Sequence, residues 1–231
     1  MRSQIYVPQM TREYHKGQIA DFVWVYFEKL LPVFEHIEAD SDTVANDFYE
    51  SAMNSPAPDD YVDGSEFADA ALHRGIAHYH MLSLGRYTLT ASWHATLYQF
   101  FEQQLRLFLF REISHTFDVP FPGFCTDMRK IEDTFSFHNL EIAKLRCWNQ
   151  IKELRLLSNV IKHGDGQSTA TLRNLNPQIF RVDTIADYLE LYRSTLLEET
   201  LAIDDQTLRA YVHAVSSFWD ELPERSFSDE L

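Results

Sequence analysis

The feature that most limits what this chain can become is the run LGRYTLTASWHATLYQFFEQQLRLFLFREISHTF, residues 84–117. Leu89, Trp93, Leu97, Phe100, Phe101, Leu105, Phe108 and Ile113 recur at spacings of three and four, which sets them on one broad side of a helix. The predicted helix runs for roughly eight turns. Gln99, Glu102, Gln103, Gln104 and Arg106 interrupt its most apolar window, 97–110, so it does not read as a membrane span. A helix of that length must bury its apolar side against other helices. Seven glycines and eight prolines are too few for a sandwich or barrel built on tight turns, while 45% hydrophobic and 14% aromatic residues supply a sizeable core.

The rest of the chain repeats the pattern. Residues 17–39 place Ile19, Phe22, Val23, Tyr26, Phe27, Leu30 and Leu31 on one helical side, with Pro32 expected to kink or end the helix. A second helix is expected at 42–54, a turn-rich loop at 54–64 and a helix at 65–80. DVPFPGFC (118–125) breaks the chain with two prolines and a glycine. A short helix fits 127–137. Residues 140–163 form the next strong helix, with Ile142, Leu145, Trp148, Ile151, Leu154, Leu157 and Ile161 inward and Gly164 as its terminating glycine. Residues 167–184 look irregular, 186–201 and 204–222 look helical with Asp204 or Asp205 capping the latter, and the last residues read as a loose tail. The expected architecture is all-α, built on two long helices at 84–117 and 140–163. Its expected organisation is an N-terminal helical extension (1–64), a bundle (65–225) and a tail (226–231).

Charge is unevenly spread. The chain carries a net −15, which argues against broad coating of nucleic acid. Residues 139–180 nonetheless hold Lys144, Arg146, Lys152, Arg155, Lys162 and Arg173 against Glu141, Glu153 and Asp165 alone. This window reads either as a local basic site on an acidic body or as a chance excess. Cys125 and Cys147 show neither metal spacing nor a disulfide framework. MRSQIYVPQM has no apolar signal core. A soluble, reduced, cytoplasmic protein is expected, without membrane contact.

The positive window holds ELRLLSNVIKHGDG (153–166), a helical run that stops at a histidine before Gly-Asp-Gly. Arg155, Asn159 and His163 stand four residues apart in succession and share one side of the helix. One reading is a site for a phosphate and the hydroxyl beside it. Arginine offers a fixed fork of donors, histidine exchanges a proton near neutral pH, and asparagine orients the ring or the ligand. The other reading is a solvated stripe ending in an ordinary cap, with His163 against the helix dipole.

LRLLSNVIKHGDG resembles the motif of the HEPN superfamily of all-α domains, in which an arginine, often followed by a polar residue, precedes a histidine at the end of a long helix. WHATLYQFFEQQLRLF resembles the partner helix of those bundles, which often bears an acidic residue facing the motif; Glu102 or Glu112 fits. The likeness covers roughly residues 84–222. It implies a HEPN-like bundle and a metal-independent endoribonuclease of toxin or phage-defence type, without cofactor. In that family two motifs meet in a homodimer and assist attack of a 2′-hydroxyl on the adjacent phosphate. Carried onto this chain, His163 is the general acid/base, Arg155 the phosphate ligand, Asn159 the orienting group and Glu102 an accessory. Lys152, Lys162 and Ser158 are the expected RNA contacts, and a neutralising or scaffold protein is an implied partner. The chain departs from the commonest spacing: Ser158 stands where the arginine would precede Asn159, and Arg155 lies about 12 Å from His163 along an ideal helix axis. That departure favours the alternative, a catalytically silent module that binds RNA or a partner protein.

Other chemistry finds little support. His73, His78, His80 and His94 lack ligand spacing, and Glu112 with His115 gives one Glu-x-x-His where a di-iron bundle needs two. No metal is expected. Phosphate-loop, dinucleotide and nucleophile-elbow motifs are absent from the sequence.

Overall fold

A computed structural model describes residues 2–55, 64–181 and 187–229. The turn-rich loop read at 54–64 and the irregular stretch read at 167–184 fall partly outside these residues. Nearly all regular structure is helical, as expected for an all-α chain: α1 (Gln9–Val25), α2 (Ile37–Met53), α3 (Gly64–Ser114), α4 (Met128–Phe137), α5 (Trp148–His163), α6 (Gln167–Leu175), α7 (Tyr188–Tyr192) and α8 (Asp205–Glu221). Two short strands, β1 (Gln4–Tyr6) and β2 (Arg225–Phe227), pair antiparallel with Ile5 opposite Ser226. Among the described residues no helix is long and apolar enough to cross a membrane.

The chain divides into two compact units, one of residues 25–89 and one of residues 1–24 with 90–231. The first begins at Val25, the last residue of α1, and runs through a π-type turn at Tyr26–Leu30 and a 3-10 turn at Leu31–Phe34, with Pro32 in its first positions, before α2 begins. The helix read at 17–39, with a kink or end at Pro32, thus begins already at Gln9 and leaves the α form at Tyr26, before the proline. Gly75 of α3 lies so close to α2 that a Cβ there would meet Ala45 Cβ at 3.0 Å and the Ser41 carbonyl at 3.2 Å. A side chain there would need α2 to give way by a few tenths of an ångström.

In the second unit Phe218 of α8 is the hub of the core. Its ring meets Phe101 of α3 at 5.2 Å, Phe135 of α4 at 6.0 Å and Trp148 of α5 at 6.1 Å between centroids. Leu97, Leu105, Phe108 and Ile113 of the apolar run are buried beside Phe101. α1 joins through Phe22, stacked on Trp93 at 4.9 Å and on Phe100 at 5.1 Å.

Several boundaries differ from the sequence reading. The helices read at 65–80 and 84–117 are one helix, because Gly85 alone weakens a helix by about 1 kcal/mol without breaking it. α5 starts at 148 instead of 140. Upstream, Asn139 is left-handed at φ 59°, residues 142–144 make a 3-10 turn, and the Arg146 N–H donates to the Glu221 carboxylate at 2.6 Å. α6 forms within the stretch read as irregular. The helix read at 186–201 is only Tyr188–Tyr192, ended by Arg193 in the left-handed conformation at φ 53°. The expected tail contributes β2, and the Ser228 N–H donates to the Ser3 carbonyl at 3.0 Å.

Candidate functional site at the foot of helix α5

The last turn of α5 is closed on three sides. Gly164 takes φ 68°, as its place after the helix suggests, and its N–H donates to the Val160 carbonyl at 2.8 Å. The Thr195 hydroxyl donates to the Ile161 carbonyl at 2.8 Å, and the Thr169 hydroxyl of α6 donates to the Gly164 carbonyl at 2.8 Å. One carbonyl of the last turn, that of Ile161, is thus capped by a side chain, and the Gly164 carbonyl just past the helix by another.

His163 is exposed, and among the described residues its ring has no hydrogen bond or ion pair. Beside it Lys162 is also exposed, with its pKa lowered by partial burial and raised in part by Glu102. The segment that places Thr195 on Ile161 brings the Arg193 backbone against the same corner. Its carbonyl lies 3.8 Å from where a Cβ on Gly164 would stand. Arg193 is exposed, and its backbone borders the His163 corner, a neighbour that the sequence reading missed. No sequence signal set Arg193 apart, because it lay inside a run read as continuous helix. Arg173, by contrast, is enclosed by carboxylates: Asp187 at 2.8 Å, Asp165 at 3.6 Å and Glu190 at 3.9 Å.

The other expected site residues are distributed along α5. Asn159 is half-buried and donates weakly to the Ser168 hydroxyl at 3.5 Å, towards α6. Arg155, two turns above His163, has its Nη1 at 4.0 Å from Glu132 of α4, too far for a hydrogen bond. Within one chain Arg155 and His163 are therefore not brought together. Lys152 is exposed a further turn up. Ser158 faces inward: it is fully buried and its hydroxyl donates to the Ala95 carbonyl of α3 at 3.3 Å. It joins two helices and offers nothing to a ligand.

The two candidate acids part company. Glu102 accepts from the Tyr98 hydroxyl at 2.9 Å, and burial with that neighbouring carboxylate pushes the Tyr98 pKa up. Arg155 and Glu132 act on the same phenol, so Glu102, Tyr98, Arg155 and Glu132 form one electrostatic neighbourhood. Glu112 instead accepts the Tyr6 N–H at 2.9 Å and anchors β1. Tyr98 and Glu132 were not read from the sequence; the i, i+4 spacing of Tyr98 and Glu102 on one helix was the available signal.

Among the described residues no group of three or more His, Cys, Asp or Glu side chains is placed to hold a metal ion. Comparison with protein-family models, curated proteins and solved structures finds no match.

Proposed function

We propose that this protein is a HEPN-like, metal-independent endoribonuclease of toxin or phage-defence type, acting in the cytoplasm as a homodimer. The observation that carries the reading is His163 itself: an exposed imidazole without a partner among the described residues at the end of α5, between Lys162 and the Arg193 corner. Such a group exchanges protons with a bound hydroxyl while cations hold the adjacent phosphate.

In this reading His163 takes the proton of an RNA 2′-hydroxyl. The 2′-oxygen bonds to the neighbouring phosphorus as the bond to the 5′-oxygen breaks, leaving a 2′,3′-cyclic phosphate. The departing 5′-oxygen takes a proton from the second His163 of the dimer. Arg155 of the opposite copy grips the phosphate, Lys162 and Lys152 follow the strand, Asn159 orients the ring, and Glu102 is an accessory. A scaffold or neutralising protein is the expected partner.

One observation favours the second reading, a silent module that binds RNA or a protein. Arg155 stands two turns from His163 on the same helix, beside Glu132, and Ser158 is buried. Incubation with transfer RNA in EDTA, comparing wild type with His163→Ala, decides between the two. Cleavage lost in the variant supports the nuclease. Binding without cleavage in either protein supports the module.

A further inference from the structure

A cavity of about 370 Å³ lies above the His163 corner, between α3, α4, the 3-10 turn at 142–144 and the first half of α5. Ala143, which is exposed, and the accessible edge of Trp148 supply its apolar wall, while Ile151 and Met128 are buried at its floor. Asn149, Lys152 and Arg155 supply its polar groups from α5, with Glu132 on α4. The volume is near the lower end of the roughly 300–1,000 Å³ typical of small-molecule sites, so it suits one compact ligand.

The chemistry of the wall narrows the ligand. Lys152 and Arg155 are three residues apart and lie on one face of α5. Among the described residues Lys152 makes no hydrogen bond or ion pair, and Arg155 has only the 4.0 Å approach to Glu132. An ammonium without a partner among the described residues, beside a guanidinium whose donors are uncommitted, suits a phosphate. The apolar wall suits a flat, uncharged body attached to it. The Asn149 amide offers a donor and an acceptor together, the pair that reads the edge of a base. Tyr98 does not compete, because its hydroxyl is engaged by Glu102.

We infer that this cavity holds one nucleotide unit, its phosphate on Lys152 and its base against Trp148 and Ala143 with Asn149 at the edge, which leaves Arg155 to the cleaved phosphate of the opposite copy. Lys152 lies eleven residues above His163, roughly 16 Å along the helix, so the unit is not the one being cleaved. The inference deepens the ribonuclease reading and rests on it for the source of the nucleotide within an RNA strand. A free mononucleotide has the same chemistry.

The full-length protein, titrated calorimetrically, tests this. The probes are AMP, GMP, CMP, UMP, inorganic phosphate, and a 2′-O-methyl oligonucleotide that cannot be cleaved through its 2′-oxygen. At least one nucleotide probe is expected to bind saturably, with phosphate alone about tenfold weaker or more. Lys152→Ala is expected to weaken that binding about tenfold, and Asn149→Ala to change the order of preference among the four bases; both side chains are exposed, so the fold tolerates the changes. Binding by mononucleotides assigns a free ligand, and binding by the oligonucleotide alone assigns a nucleotide of the strand. The inference is overturned if no nucleotide probe binds, if phosphate binds as tightly as the nucleotides, or if neither substitution alters binding. Failure here with RNA cleavage intact removes the pocket alone. Nucleotide binding that persists in a protein unable to cleave removes the nuclease alone.

Discussion

Two histidines show how differently the fold treats the same side chain from His163. His94 of α3 is fully buried; its Nδ1–H donates to the Thr90 carbonyl at 2.8 Å, leaving Nε2 facing the Thr207 hydroxyl at 3.2 Å. Burial lowers its pKa from 6.5 to about 4, against a smaller opposing pull from the Thr90 carbonyl, Asp204 and Asp205. His15 of α1 is stacked on Trp219 at 3.9 Å and is lowered to about 4 by burial as well. The unfolded chain takes up these protons near pH 6.5 and the folded chain only near pH 4, so the unfolded state binds more protons in between. Stability is therefore full above about pH 6.5 and falls as the pH drops towards about 4, by on the order of 3 kcal/mol for His94. Urea unfolding at about pH 7 and about pH 5, on either side of the unfolded value, checks this. His94→Gln is expected to flatten the dependence while lowering stability at neutral pH. If its midpoint moves with pH as steeply as the wild-type midpoint, the neutral buried ring is not the cause.

At the scale of elements, the readable helices were those whose buried face is uniformly apolar. α4 and α8 fall within a residue or two of expectation, and Asp204 caps α8 by accepting the Thr207 N–H at 2.7 Å. The first turns of α1 were missed because their inward residues are polar. Arg12 is buried at 9% exposure, yet its Nη1 donates to the carbonyls of Trp219 and Asp220 at the end of α8, and its Nε to the Val7 carbonyl at 3.2 Å. No periodicity of apolar residues reveals a cation that closes the C-terminus of another helix. α6 was missed for a related reason: its threonines score poorly as helix formers, but the Thr169 hydroxyl links the Gly164 carbonyl to the Gly166 N–H. The candidate corner shows the same limit: the shared side of Arg155, Asn159 and His163 on α5 follows from spacing on one helix, whereas the Arg193 backbone reaches Gly164 through a turn that spacing does not announce. The Arg12 interaction carries its own test. Arg12→Met strands carbonyls at the end of α8 and is expected to cost about 3 kcal/mol in urea unfolding, since charged hydrogen bonds contribute about 1.5–3 kcal/mol each. A loss below about 1 kcal/mol means that water replaces the guanidinium there.

At the scale of the whole molecule, the proposed function asks a chain of net charge −15 to hold a polyanion. An acidic body repels RNA at long range, so the proposed binding would come from few, local cations and depend on salt accordingly. Lys152, Arg155, Lys162 and Arg193 are the cations that the proposed path along α5 offers. A single strand following them in one copy gives a slope of log K against log salt of about −3, and a strand crossing both copies of a dimer about −6. Anisotropy of a labelled single-stranded RNA between about 50 and 200 mM salt reads that slope. Replacing Lys152 and Lys162 together with alanine is expected to flatten it by about 1.4 per copy engaged, at roughly 0.7 for each phosphate left without its cation. The number of phosphates gripped, and whether one strand spans two copies, are thereby read from the same measurement. A slope that the double substitution leaves unchanged moves the strand off α5, and a slope near zero leaves the exposed imidazole without the polyanion that its proposed chemistry requires.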